Sequence, residues 1–183
     1  MFTRKRTATG LTAAALLAAC GTPLMGPQPL PQGLNLGRVV TADEIKAWDI
    51  SISPSGAGLP PGSGSVKQGA AVYAAKCEAC HGANGAGKPA DALVGGQGTL
   101  ASDNPVRTVG SYWPHATTLF DYVRRAMPTN APKSLTDSEV YAVSAYILQL
   151  NGIIAQDAVM NAQTLPQVKM PNRDGFVDFS EKK

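Results

Sequence analysis

CEACH, residues 77–81, places two cysteines and a histidine next to one another in the chain. Two thiols and an imidazole at this spacing suit three kinds of site: a redox-active dithiol, part of a zinc site, or the attachment point of a haem. Each kind makes a different demand on the surrounding sequence. The residues on either side of the motif therefore decide among them.

The surroundings of the motif favour the haem attachment. A redox dithiol opens a helix after a strand, whereas here a helical pattern that begins at Ser65 runs into the motif. A structural zinc site needs four ligands, and the only histidine besides His81 is His115. In a haem site, both thiols add to vinyl groups and the histidine ligates the iron. The motif therefore predicts one covalent haem c, held by Cys77, Cys80 and His81.

The other patterned segments are helical, and no repeat or convincing strand is visible, so we expect an all-α fold. Residues 82–111 are glycine-rich and irregular. A helix over 116–127 places Leu119, Phe120 and Val123 on one face and ends at a proline, Pro128. A capping box formed by Thr136 and Glu139 starts a last helix, which stops at Asn151-Gly152. Thr41 and Glu44 have the same spacing.

The N-terminus resembles an export signal. Arg4, Lys5 and Arg6 precede a short apolar stretch over 11–19, which is too short to span a membrane. The ending LAAC, residues 17–20, resembles a lipobox, in which the cysteine becomes lipidated. This predicts a lipid anchor at Cys20 on the periplasmic face of a bacterial membrane, and several acyl chains would make that anchor stable. Ordinary cleavage nearby is the alternative.

Charge does not point to nucleic acid. The chain has 16 Lys+Arg and 13 Asp+Glu, a formal net charge of +3. Three of the basic residues lie in the export signal, so its removal leaves 13 of each sign and no net charge. We predict the following segments: signal peptide 1–19, Pro/Gly-rich linker 20–40, N-terminal extension 41–64, haem domain 65–152 and C-terminal extension 153–183.

The central segment resembles a class I cytochrome c. The resemblance covers about residues 65–152 and rests on Gly69 and Tyr73 before the motif, a glycine-rich loop with Pro89, Met127-Pro128, and Tyr146 in the last helix. It implies a small helical fold around one haem, with irregular extensions. It also implies that Gly69 and Tyr73 lie against Tyr146 and Val143, and that the Pro89 carbonyl accepts the His81 ring N–H.

The resemblance also implies a methionine as the second axial ligand, for which Met127 is favoured. Met170, which also precedes a proline, is the runner-up, and Met160, His115 or an iron with no second ligand complete the range of candidates. A thioether ligand would raise the reduction potential. Arg107 lies near the end of the glycine-rich segment 82–111, and Tyr112 and Trp113 follow it directly. Each could contact the haem edge; otherwise the two aromatic residues simply pack in the core and Arg107 lies in solvent.

A narrower resemblance extends over about residues 41–176. WDISISPSGAGLPPGSGSVKQG, TVGSYWPHATTLFDYVRRAMP and LPQVKMPNRDGF resemble the cytochrome subunit of bacterial sulfite and sulfane dehydrogenases. It implies a non-catalytic electron carrier that accepts electrons from a molybdenum-cofactor subunit and passes them to a downstream cytochrome or oxidase. A general lipid-anchored cytochrome is one alternative, and a five-coordinate haem sensor or enzyme is another. The segments around Trp48 and Phe176 either bind the partner or wrap the core.

Overall fold

The computed structural model describes residues 37–177 of the 183-residue chain. The chain divides into two units, residues 1–40 and 41–183, and every helix and strand described here belongs to the second. The predicted export signal, Cys20 and most of the linker lie outside the described residues. No helix within residues 37–177 combines the length and the apolar character needed to cross a membrane.

The fold is all-α, as predicted, with one addition. Two three-residue strands pair antiparallel, although the sequence shows no convincing strand. Two short 3-10 turns occur at Ala83–Gly85 and Leu165–Gln167. The elements in chain order are α1 Ala42–Trp48, β1 Ser63–Ser65, α2 Val66–Lys76, α3 Glu78–His81, α4 Ala116–Ala126, α5 Asp137–Leu150 and β2 Val159–Asn161.

Local sequence signals account for where the helices begin. The predicted capping boxes are present at Thr41 in α1 and at Thr136 in α5, where each hydroxyl accepts the backbone N–H of the glutamate three residues on. A third box, which the sequence analysis missed, starts α2 with Ser65 and Gln68. Each box satisfies backbone donors that a helix leaves unpaired at its first turn.

The crossing of α2 and α5 forms the centre of the fold. At Gly69 the two backbones touch: a Cβ there would overlap the carbonyl oxygen of Ala142 and lie 2.7 Å from Cβ of Tyr146. The rings of Tyr73 and Tyr146 pack 5.3 Å apart. The predicted contact with Tyr146 is therefore present, and Ala142 is the residue that meets Gly69. The crossing places the C-terminal end of α2, and so the CEACH segment, beside α5.

Helix α4 packs on another side of α5. Its predicted apolar face, Leu119, Phe120 and Val123, is buried. The ring of Phe120 lies 4.4 Å from that of Tyr141 in α5, and Arg124 donates to the Asp137 carboxylate at 2.9 Å. Met127 directly follows the last residue of α4, so the contacts that fix α4 also fix the position of the Met127 backbone.

Part of the C-terminal extension packs into the core, which is one of the two roles that the sequence left open for it. Strand β2 pairs with β1, with Met160 opposite Gly64. A Cβ at Gly64 would overlap the backbone of Ala142, so only glycine lets β1 pass this close to α5. Beyond β2 the chain buries further side chains: Leu165, Val168 and Met170. Together with Met160, these side chains are the contribution of residues 153–170 to the buried core.

Candidate cofactor site

The CEACH segment begins where α2 ends. The Cys77 N–H still bonds the carbonyl of Tyr73 at 2.9 Å, but its φ of −126° ends the helix. The carbonyl of Cys77 then accepts from the N–H groups of Cys80, at 3.1 Å, and His81, at 2.9 Å, in the first turn of α3. A single turn thus brings both thiols and the imidazole together, at the end of a helix that is anchored on α5.

The Cys77 thiol lacks the lowered pKa on which a redox dithiol depends. Cys77 and Cys80 are both free, Cys77 half-buried and Cys80 exposed. Burial raises the pKa of Cys77 to about 11, with a smaller contribution from Cys80 and an opposing one from Lys76. Dithiol oxidoreductases depend on a lowered pKa, because the thiolate is the nucleophile. A neutral half-buried thiol suits covalent attachment to an apolar group better than disulfide exchange.

A zinc site finds no support either. Within the part of the chain that the structure describes, no group of three or more His, Cys, Asp and Glu side chains is arranged to hold a metal ion. His115, the fourth ligand that a zinc site would require, lies instead at the N-cap of α4. Its Nδ1 is buried without a hydrogen-bond partner, and burial lowers the pKa of the ring.

His81 is oriented by a backbone carbonyl. Its Nδ1 lies 2.9 Å from the carbonyl oxygen of Asp91. A carbonyl only accepts, so Nδ1 carries the proton and Nε2 is left with a lone pair for a metal. The prediction gave this acceptor role to Pro89, and the structure corrects it to Asp91. Any residue offers a backbone carbonyl, and the path of the loop selects which carbonyl meets His81.

The glycine-rich loop after His81 is held by side chains from both crossing helices. The Tyr73 hydroxyl donates to the carbonyl of Gly82 at 2.8 Å, and the Tyr146 hydroxyl donates to Oδ1 of Asn84 at 3.3 Å. Asn151, just after α5, contacts the loop further along, near Leu93. The sequence analysis treated Asn151 only as a helix stop. Its role at the loop depends on tertiary contacts, for which no local signal exists.

Met127 differs from the other candidate methionines in its exposure. It caps the C-terminus of α4, is half-buried, and its Sδ accepts a hydrogen bond from the Thr129 hydroxyl at 3.4 Å. Met160 and Met170 are 5% and 3% exposed and belong to the hydrophobic core. Met127 is thus less enclosed by core side chains than the other two, and its ligation of iron stays a prediction.

The two aromatic candidates, Tyr112 and Trp113, pack against different parts of the protein. Trp113 is half-buried and meets the Tyr122 ring edge-on at 5.6 Å. Tyr112 carries the Arg107 guanidinium over its face at 5.4 Å and meets the Phe176 ring at 5.3 Å. Arg107, Tyr112 and Phe176 border an open cavity of about 300 Å³. Tyr112 therefore joins the haem loop to the C-terminal extension, and contact of either ring with haem stays a prediction.

The donor set fits a covalent haem c. It offers two free thiols in one turn, an imidazole whose Nδ1 is already engaged, and a half-buried thioether. Two further half-buried apolar side chains, those of Leu93 and Trp113, pack against the core, as Cys77 and Met127 do. The two thiols could form the thioether bonds to haem, and the imidazole and the thioether could ligate its iron. The apolar side chains suit contact with a porphyrin.

Three comparisons with known proteins agree with this fit. Residues 66–151 match the family model "Cytochrome c". The crystal structure of the sulfane dehydrogenase SoxCD from Paracoccus pantotrophus matches with a TM-score of 0.75 and 40% identity, covering 82% of this chain and 75% of that one. A thiosulfate dehydrogenase from Allochromatium vinosum is 27% identical over 129 residues, which are 65% of this chain and 40% of the relative's length. This chain therefore belongs to the cytochrome c family, with Cys77 and Cys80 in the position that binds haem c.

Proposed function

We propose that this cytochrome accepts single electrons from a molybdenum-containing subunit that oxidises sulfite or sulfane sulfur. The observation that carries the proposal is the extent of the match to SoxCD. It covers 82% of the chain at 40% identity, whereas the haem domain that the family model matches is residues 66–151. A relationship limited to the haem domain would leave both extensions unmatched.

The site suits a carrier rather than a catalyst. A haem c bound here would supply an iron that alternates between the ferric and ferrous states. We propose that His81 and Met127 would both ligate that iron, so that the protein itself would supply the ligands and leave none to a substrate. The thioether of Met127 favours the ferrous state, and the bond from His81 to the Asp91 carbonyl fixes the ring and raises its basicity. The electron would reside on the iron, and these residues would hold the group without any bond of theirs being made or broken.

The surface that meets the partner is proposed to include Phe176. Its ring is 53% exposed although it is anchored edge-on against Tyr112, which in turn lies beneath the Arg107 guanidinium. An aromatic ring held in place and flanked by arginine is a frequent anchor in protein interfaces. Trp48 is 87% exposed and borders a second cavity, of about 400 Å³. It is the other candidate contact.

Reduction by a molybdenum-containing sulfane or sulfite dehydrogenase subunit, supplied with its sulfur substrate, should be much faster for this protein than for an unrelated class I cytochrome c. We expect Phe176→Ala to slow it about tenfold, because one partly buried aromatic anchor contributes roughly 1–2 kcal/mol. Stopped-flow spectroscopy at the haem band measures the rate constant. Val159→Ala, at another exposed apolar residue (45%), is the matched control.

Equal rates for this protein and the unrelated cytochrome would favour a general carrier that feeds a terminal oxidase or other reductase. Point variants are the suitable tools here. Truncation at residue 153 would remove Met160, Leu165, Val168 and Met170 from the core, so a loss of binding would then reflect a loss of folding. If Trp48→Ala slowed the reaction and Phe176→Ala did not, the docking surface would instead lie around α1.

We further propose that the chain is exported and anchored through lipid at Cys20, on the basis of LAAC at 17–20 after a short apolar stretch. When the full chain is expressed in a bacterium fed labelled palmitate, we expect the label on the wild type and its absence from Cys20→Ala. The variant should then be released as a haem-containing protein. A wild type that carries no label would contradict the anchor and leave ordinary cleavage.

A further inference from the structure

The side chain of Asn151 uses both ends of its amide to hold the glycine-rich loop against the end of α5. Its Nδ2 donates to the carbonyls of Leu93, at 3.1 Å, and Ile147, at 2.9 Å. Its Oδ1 accepts from the N–H of Gly95 at 3.2 Å and from Nε2 of Gln97 at 3.3 Å. Two carbonyls on one side and two donors on the other define the orientation of the amide.

The loop approaches Asn151 closely on a second side. A Cβ at Gly110 would overlap the amide oxygen and carbonyl carbon of the Asn151 side chain. The carbonyl of Gly95, whose N–H bonds Asn151, accepts from the Thr108 hydroxyl at 2.6 Å. Asn151 therefore joins two separate stretches of the loop, one near Gly95 and one near Gly110, to the end of a helix that is buried in the core.

The stretch that Asn151 holds includes the acceptor of His81. Asp91 lies two residues before Leu93 and has an exposed side chain. The N–H of Leu93 bonds the carbonyl of Gly85 at 2.8 Å, while its carbonyl bonds Asn151. Because Leu93 is fixed on both sides, the peptide units just before it are restrained as well, and the Asp91 carbonyl is among them.

We propose that Asn151 is a positioning residue that sets the His81–Asp91 hydrogen bond and, through it, the reduction potential of the haem. A firm bond from the ring N–H makes an imidazole a stronger donor to a metal and favours the ferric state. Loss of the Asn151 amide would let the loop relax and weaken that bond. The proposal rests on ligation by His81, as proposed above.

Asn151→Ala should shift the ferric–ferrous equilibrium about threefold toward ferrous, a rise of ~30 mV at 59 mV per tenfold change for one electron. The ring proton on Nδ1 of His81 should also exchange faster with D₂O, as followed by NMR in the reduced protein. The matched control is Asn161→Ala. Oδ1 of Asn161 accepts from the N–H groups of Gln163 and Thr164 at 2.8 and 2.9 Å, in a turn that makes no contact with the haem loop in the hydrogen bonds described.

A merely structural role would lower the stability of both variants and leave the potential and the ring-proton exchange of Asn151→Ala unchanged, which would overturn the proposal. If Asn151→Ala loses its haem, the milder Asn151→Ser should still raise the potential and speed the ring-proton exchange. The serine side chain is shorter and lacks the amide N–H that donates to the Leu93 carbonyl. The absorption spectrum of the wild type tests ligation by His81 and Met127 independently of the Asn151 variants. A wild type without that ligation would overturn both proposals, whereas an intact spectrum with unmoved variants would overturn only the role of Asn151.

Discussion

Replacing Met127 with alanine should abolish the methionine–iron absorption band and lower the reduction potential on the order of 0.1 V, within the roughly 0.8 V that axial ligands span. The reason is that a thioether stabilises ferrous iron more than water or a second imidazole does. Haem should remain attached, because Cys77 and Cys80 are unchanged. Oxidised and reduced absorption spectra, together with a potentiometric titration, measure both effects.

The control for this experiment is Met170→Leu. Met170 is 3% exposed and packs in the core, so an exchange of similar volume should cost less than ~1.5 kcal/mol and leave the spectrum intact. If Met127→Ala kept the band and Met170→Leu lost it, Met170 would be the ligand. If neither variant lost the band, Met160 would be the remaining methionine candidate, and Met160→Leu would be the next variant to measure. A wild type without the band, which bound carbon monoxide readily, would indicate five-coordinate haem.

Gly69→Ala should lower the free energy of unfolding by about 3 kcal/mol or more, the upper range for an overpacked core position. Glycine-to-alanine inside a helix ordinarily gains ~1 kcal/mol. Here the added methyl group meets the carbonyl of Ala142, which is backbone and cannot rotate away. Relieving the overlap would separate α2 from α5 and loosen the CEACH segment that α2 carries.

Denaturant unfolding of the haem-attached protein, followed by far-UV circular dichroism, measures this effect. Ala74→Gly, at an exposed position of the same helix, is the matched control and should cost only ~1 kcal/mol. A Gly69→Ala protein as stable as the wild type would show that the two helices do not touch at this point. The holoprotein would also have to be compared with the apoprotein, since bound haem stabilises the folded state.

The helices were predictable because their signals are local. The capping boxes at Thr41 and Thr136 act between residues three apart, and Pro128 ends α4 by its own geometry. CEACH is likewise a local signal, since two thiols and an imidazole are placed by one helical turn. The resemblance to class I cytochromes c then supplied the crossing at Gly69, which the structure confirms against Tyr146.

The path of the loop and the tail was not predictable in this way. The sequence analysis found no strand at 159–161, because a three-residue strand has too short a pattern and forms only where β1 is already docked on α5. Pro89 was the wrong acceptor for His81 because loop conformation depends on contacts with distant side chains. Asn151, whose four side-chain hydrogen bonds are mostly to residues far away in the chain, shows the same effect.

The sequence by itself determined the covalent chemistry and the helices of this protein. Bonds to haem need only Cys77 and Cys80 at the right spacing, and helix ends need only their nearest neighbours. The tertiary structure alone decided which carbonyl orients His81, which methionines lie in the core, and which side chains of the C-terminal extension are buried. These features depend on contacts between residues that are far apart in the sequence. Such contacts form only when α2 and α5 pack against each other, so no short stretch of sequence predicts them.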